Sequence, residues 1–144
     1  MTVVSRPPLT SDERTQLTGW LDVQRSFVRM KCEGLSEAEA HRKLLPTSPL
    51  MTMAGIVAHL RWVEYSWFHL NLAGVPDTGQ TPWTEDGHVD AEMFVDDVEK
   101  AIVRDSGAAS TRYILCHMIE ETARHVGHLD IIRELLDGHR SYNE

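Results

Sequence analysis

The sequence is poor in cysteine, with only Cys32 and Cys116 in 144 residues. They stand far apart and form no metal-like pair, which excludes a disulfide framework and leaves two free thiols as the expectation. Basic runs are missing as well. Lys and Arg number 14 against 22 Asp and Glu, for a formal net charge of -8. Nucleic-acid binding through clustered cations is therefore not expected. No apolar run is long enough to span a bilayer, so no membrane partner is expected either. The opening MTVVSRPPLT lacks the apolar core of a signal peptide, and a cytoplasmic, reducing location follows as an expectation. No internal repeat and no low-complexity tract appears. Apolar residues at 42% and charged residues at 25% fit an ordinary globular chain, read as one domain over 1–144 with residues 1–9 as an N-terminal arm.

What is present is helical patterning, strongest from Thr111 to Gly138, TRYILCHMIEETARHVGHLDIIRELLDG. No Pro interrupts this run of good helix formers. Ser110 or Thr111 can cap its start, and Gly138 can stop it at C′. Ile114, Met118, Ala123, Leu129, Ile132 and Leu136 give it apolar area to bury. His117, Glu121, His125 and His128 follow at spacings of three and four and form a polar stripe along one side.

Earlier in the chain, Thr10 with Glu13 reads as a capping box that opens a helix running to about Cys32, ended by Gly34. Leu17, Trp20, Leu21, Val23, Phe27 and Val28 supply its apolar face. Ser36 with Glu39 repeats the capping box for a short helix in LSEAEAHRKL. A second long helix is expected from Thr52 to Ala73, terminated by Gly74, with Ile56, Leu60, Val63, Trp67 and Leu70 inward and His59 on the same side. Glu64 is within reach of Arg61. Pro, Gly, Asp and Thr then mark a long connection over Val75–Asp90, which carries Trp83 and His88. Asp90 can cap a shorter helix, AEMFVDDVEKAIVRD. The fold class is all-α, a four-helix bundle whose facing helices can aim polar side chains into the core.

A carboxylate and several imidazoles along a helix with buried flanks are costly unless something binds them, and a divalent metal would do so. Glu121 and His125, four apart, can reach one ion, with His59 from the second long helix as third ligand. Two nitrogens and one carboxylate oxygen suit a zinc site with an open position. The same set suits nickel, iron or manganese. His128, one turn on, is a candidate fourth ligand, proton acceptor or hydrogen-bond partner of a ligand. The bland alternative is a row of helix-face histidines bonded to water and carboxylates.

HMIEETARHVGHLDIIRELLDG, with the earlier GIVAHLRWVEYSWF, resembles the DinB-like superfamily of metal-binding four-helix bundles, in an actinobacterial branch. The resemblance implies one His on the second long helix and a His-x-x-x-His pair on the last. Here Glu121 takes the first position of that pair. A His, Glu, His set is what the similar mycothiol-dependent maleylpyruvate isomerases use, so the resemblance implies His59, Glu121 and His125 as ligands. The chain is about a helix shorter than such relatives between Val95 and Arg112.

Two functions from different classes follow as expectations. The first is a metal-dependent enzyme, a mycothiol-dependent S-transferase or isomerase, that joins a small-molecule thiol to an electrophile with His128 as the catalytic proton shuttle. The second is a non-catalytic, stress-linked metal-binding protein that keeps the site for stability. Metal-assisted hydrolysis is a weaker third. The trimmed third helix leaves apolar flanks to cover, so a homodimer is expected.

Overall fold

The computed structural model of the chain describes residues 2–78 and 109–140. The architecture is the expected all-α class, and the described residues contain no strand. Helix α1 covers Glu13–Cys32, α2 covers Glu37–Ala40, α3 covers Met53–Glu64 with a π-helical continuation over Tyr65–Leu72, and α4 covers Thr111–Asp137. The expected helix at 91–105 lies outside the described residues, as do Trp83 and His88.

Helix ends follow local chemistry. The start of α1 corrects the sequence reading. Asp12, not Thr10, is the cap, and its carboxylate accepts from the Thr15 amide at 3.0 Å and the Thr15 hydroxyl at 2.6 Å. These bonds hold the Asp12 carboxyl below the usual carboxylate range. Glu13, expected to close a capping box with Thr10, instead grips Arg112 on α4 at 2.6 and 2.9 Å. The box at Ser36 and Glu39 forms as expected, but α2 is only one turn long. Thr52 caps α3 through the Gly55 amide, and Ser110 caps α4 through the Tyr113 amide. Gly138 ends α4 in the left-handed region, at φ 75°, where a side chain would be strained.

Past Glu64 the second long helix does not continue as an ordinary α-helix. The ladder lengthens by one residue, closing on a 3.0 Å bond from the Ala73 amide to the Phe68 carbonyl. Such segments occur often at functional sites.

Two apolar clusters hold the long helices together. Leu21, Val63, Trp67, Ile114 and Met118 form one, and Met53, Ile56, Leu60, Leu129 and Ile132 form the other. Between them fall His59 on α3 and Glu121, Thr122 and His125 on α4. Two inward expectations are corrected: Trp20 is 38% exposed, and Ala123 faces out while Thr122 and Val126 take the buried positions. Polar ties fix the relative heights of the helices. Arg25 on α1 holds Glu64 on α3 with paired bonds of 2.7 and 2.9 Å, so Glu64 does not pair with its neighbour Arg61. Arg61 instead lies over the Trp62 ring. At the other end, buried Arg133 of α4 donates to the carbonyls of Lys31 and Glu33 at 2.7 and 2.8 Å. It thereby satisfies the C-terminal end of α1. Lys31 in turn is ion-paired with Asp130.

Leu129 is wholly buried, whereas Ile131 is 58% exposed. Leu129→Ala should destabilise the chain by about 2–5 kcal/mol, and Ile131→Ala, measured at concentrations where the chain is monomeric, by less than about 0.5 kcal/mol. Urea midpoints of the two variants beside the parent chain check this. Equal losses would contradict the assignment of the α4 face.

Candidate metal centre

Three of the side chains singled out in the sequence meet. His59 comes from the middle of α3, and Glu121 and His125 come from successive turns of α4. All three are buried, at 0%, 8% and 4% exposure. One donor atom from each lies within 4.8 Å of the others. Oε1 of Glu121 is the common point, 3.1 Å from Nε2 of His59 and 3.1 Å from Nε2 of His125. The two imidazoles approach edge-on, with ring centroids 4.7 Å apart.

The two carboxylate–imidazole sides of this triangle have the length that shared ligation of one cation needs. Metal–ligand bonds of about 2.0–2.1 Å in a tetrahedral site place donors roughly 3.3 Å apart. The donor set of two imidazoles and one carboxylate is borderline-soft and carries one negative charge, which fits zinc and the neighbouring divalent transition metals. The electrostatics are those of a stable anion. Hydrogen bonds from His125 first, and from His59 next, drive the Glu121 carboxyl far below the usual range against the opposing effect of burial. The residue is therefore ionised and already shaped to hold positive charge.

His128 and His117 lie on the same stripe but outside this cluster. His128 is half-buried, with Nδ1 3.3 Å from Nδ1 of His125 and the two rings crossing at 5.2 Å. Burial, followed by the charges of His125 and Arg124, lowers its pKa. His117 sits one turn before Glu121, edge-on to Trp67 at 5.0 Å and stacked at 6.2 Å on Tyr113. It belongs to the wall rather than to the donor set. Trp67 is buried in the core, and Trp62 lies on another side of the helix against Tyr65 and Arg61.

Sequence reasoning offered His128 as a hydrogen-bond partner of a ligand among its roles, since it stands three residues from His125 on one helix. It could not have chosen the ring atom. A groove of about 490 Å³ between α1 and α3, lined by Arg25, Leu60, Arg61, Glu64 and Thr122 among others, contains none of the three donors. Val57, Arg61 and Glu64 stand half a turn round α3 from His59, so this groove opens on a different side.

A family model described as MST, mycothiol-S-transferase, matches the chain over residues 16–105 and 84–138. No curated protein and no solved structure matches.

The state of Glu121 has a measurable consequence. Its folded pKa lies below the ordinary 4.5. Its stabilisation is thus complete above about pH 4.5 and is lost as the pH falls through the depressed folded value. In chelator-treated protein, Glu121→Gln should cost about 1–3 kcal/mol at pH 7. The deficit should shrink on acidification below that point. Urea unfolding at neutral and acid pH checks it, and a deficit independent of pH would contradict the charge assignment.

Proposed function

This chain belongs to the mycothiol-S-transferase family, and we propose that it is a metal-dependent enzyme joining a low-molecular-weight thiol to a small electrophile, as an S-transferase or isomerase. The buried cluster of His59, Glu121 and His125 in a chain of this family is the observation that carries the reading. The three residues would hold one divalent cation, zinc ahead of nickel, iron or manganese. When bound, that cation supplies a Lewis acid that lowers the pKa of a thiol brought to it.

The chain's own groups account for the rest. The apolar clusters on either side of the donors keep water from the inner faces of the ligands. Glu121 brings a full negative charge that two neutral imidazoles do not. His128 and Arg124 stand on the outer side of α4, next to the donors, and supply polar contacts of the kind a sugar-linked thiol such as mycothiol requires. His128 enters as the residue that serves the reaction from outside the donor set, its lowered pKa favouring the neutral ring at neutral pH.

Metal content is the first test. Protein purified without added metal should carry close to one equivalent, and His125→Ala should carry almost none by elemental analysis. Retention should fall as the pH is lowered through the imidazole range, because ligands must be unprotonated. Equal metal in parent and variant would overturn the ligand assignment. Activity is the second test. Metal-loaded protein mixed with mycothiol and a bimane electrophile should form conjugate faster than the uncatalysed rate, and Glu121→Ala should return it to that rate. An unchanged spectrum of cobalt-substituted protein on adding thiol would remove the thiol chemistry and leave a structural metal.

Self-association belongs to the same proposal. Ile131 and Leu135, exposed at 58% and 54%, stand one turn apart on α4 and offer apolar area to a two-fold partner. Sedimentation at micromolar concentration should give a dimer, and monomer alone would exclude it.

A further inference from the structure

A neutral imidazole carries one N–H, and the environment of each ring nitrogen decides where it sits. In His125 both nitrogens are engaged by named partners. Nε2 faces Oε1 of Glu121 at 3.1 Å, and Nδ1 faces Nδ1 of His128 at 3.3 Å. With Glu121 ionised, the carboxylate can only accept, so without a cation the proton of His125 sits on Nε2. Its Nδ1 then accepts from the Nδ1–H of His128. Holding a cation through Nε2 commits that lone pair and moves the proton of His125 to Nδ1. The buried Nδ1–H then requires an acceptor, since such a donor is costly to leave unmatched.

We infer that His128 is a positioning residue for the candidate metal centre: its Nδ1 accepts from the Nδ1–H of His125 and holds that ligand in the tautomer whose Nε2 lone pair faces Glu121 and His59. The inference rests on the metal reading above and deepens it. An imidazole suits the position because it can reverse its role. It donates from Nδ1 in one state and accepts there in the other, moving its own proton to Nε2. His128 is not a fourth ligand in this geometry. The donor cluster among the described residues comprises His59, Glu121 and His125 alone. While its Nδ1 accepts from His125 its Nε2 carries the proton, so in the reaction proposed above His128 serves as a proton donor from Nε2 and not as a base. The contact is built in by the fold, for the two residues are three apart on α4 and their rings cross at 69°.

The experiment is a metal-affinity titration against a competing chelator, using zinc and the full chain. His128→Leu removes the acceptor and should weaken zinc binding about 10–100-fold, the usual effect of losing a partner of a metal-ligating histidine. His128→Asn places an amide atom where Nδ1 stands and can present either its oxygen or its nitrogen, so affinity should return to within a few-fold of the parent. His128→Gln, which carries its amide one carbon further out, should behave like His128→Leu. Stoichiometry should stay at one ion in all three. Thermal melting of the chelator-treated variants separates this from a folding defect, since the metal-free chains should melt close to the parent. Affinities of His128→Leu equal to the parent would overturn the inference while leaving the metal site standing. A loss of stoichiometry in His128→Leu would make the residue a ligand and also overturn it. A parent chain that binds no zinc would overturn both readings together.

Discussion

One carboxylate oxygen shared between two buried imidazoles is the contact on which the centre of this molecule depends. Oε1 of Glu121 stands 3.1 Å from a nitrogen on α3 and 3.1 Å from a nitrogen on its own helix. A buried anion costs several kcal/mol unless matched. Here the matching groups arrive from two elements, so the charge is satisfied only when α3 and α4 are correctly docked. The two apolar clusters bring the helices together, and the polar band between them makes only one docking acceptable. Shifting α4 by one residue would rotate its stripe by about 100° relative to α3 and turn Glu121 away from His59.

The register is secured away from the centre. Arg133 caps the end of α1 by taking the carbonyls of Lys31 and Glu33. Arg25 ties α1 to α3 through Glu64. Both are long-range, charge-assisted contacts with demanding geometry. They resist sliding and splaying, motions that apolar packing alone opposes weakly. Arginines that never touch His59 and His125 thus add to the apolar packing that holds the helices carrying them.

The features legible in the sequence were those decided locally. Glu121 and His125 are four apart on an uninterrupted helix, so their common side needed no tertiary information. The Ser36–Glu39 box and the Gly138 stop were equally local. His59 was legible because its helix face and a motif agreed. What escaped were choices between local options settled elsewhere. Thr10 read as the cap, but Asp12 takes that place by accepting from the Thr15 amide, and Glu13, needed for the Thr10 box, pairs with Arg112 nearly a hundred residues on. Glu64 could reach Arg61, but Arg25 offers it a paired, half-buried grip. Trp20 looked inward by spacing, yet the core at that level is filled by Leu21, Val63 and Trp67. The π-helical segment has no signal in composition, since the one-residue lengthening of its ladder leaves the same residue types in place. The two segments matched by the family model overlap over 84–105, which runs partly into the stretch between Val95 and Arg112 where the chain reads as shorter than the proteins it resembles.

The choice of Glu at position 121 sets the charge of the proposed centre. Three neutral imidazoles around a divalent cation leave a net charge of two. Two imidazoles and one carboxylate leave one. A buried site of lower net charge costs less to desolvate, yet it remains positive and so still favours an anionic sulfur over a neutral thiol. The carboxylate also changes what the neighbours must do. It accepts and cannot donate, so it fixes the protons of both facing imidazoles in the metal-free protein, and those protons must be relocated when a cation takes the same lone pairs. An imidazole at position 128, able to donate in one state and accept in the other, is the side chain that lets His125 make that exchange without losing its hydrogen bond.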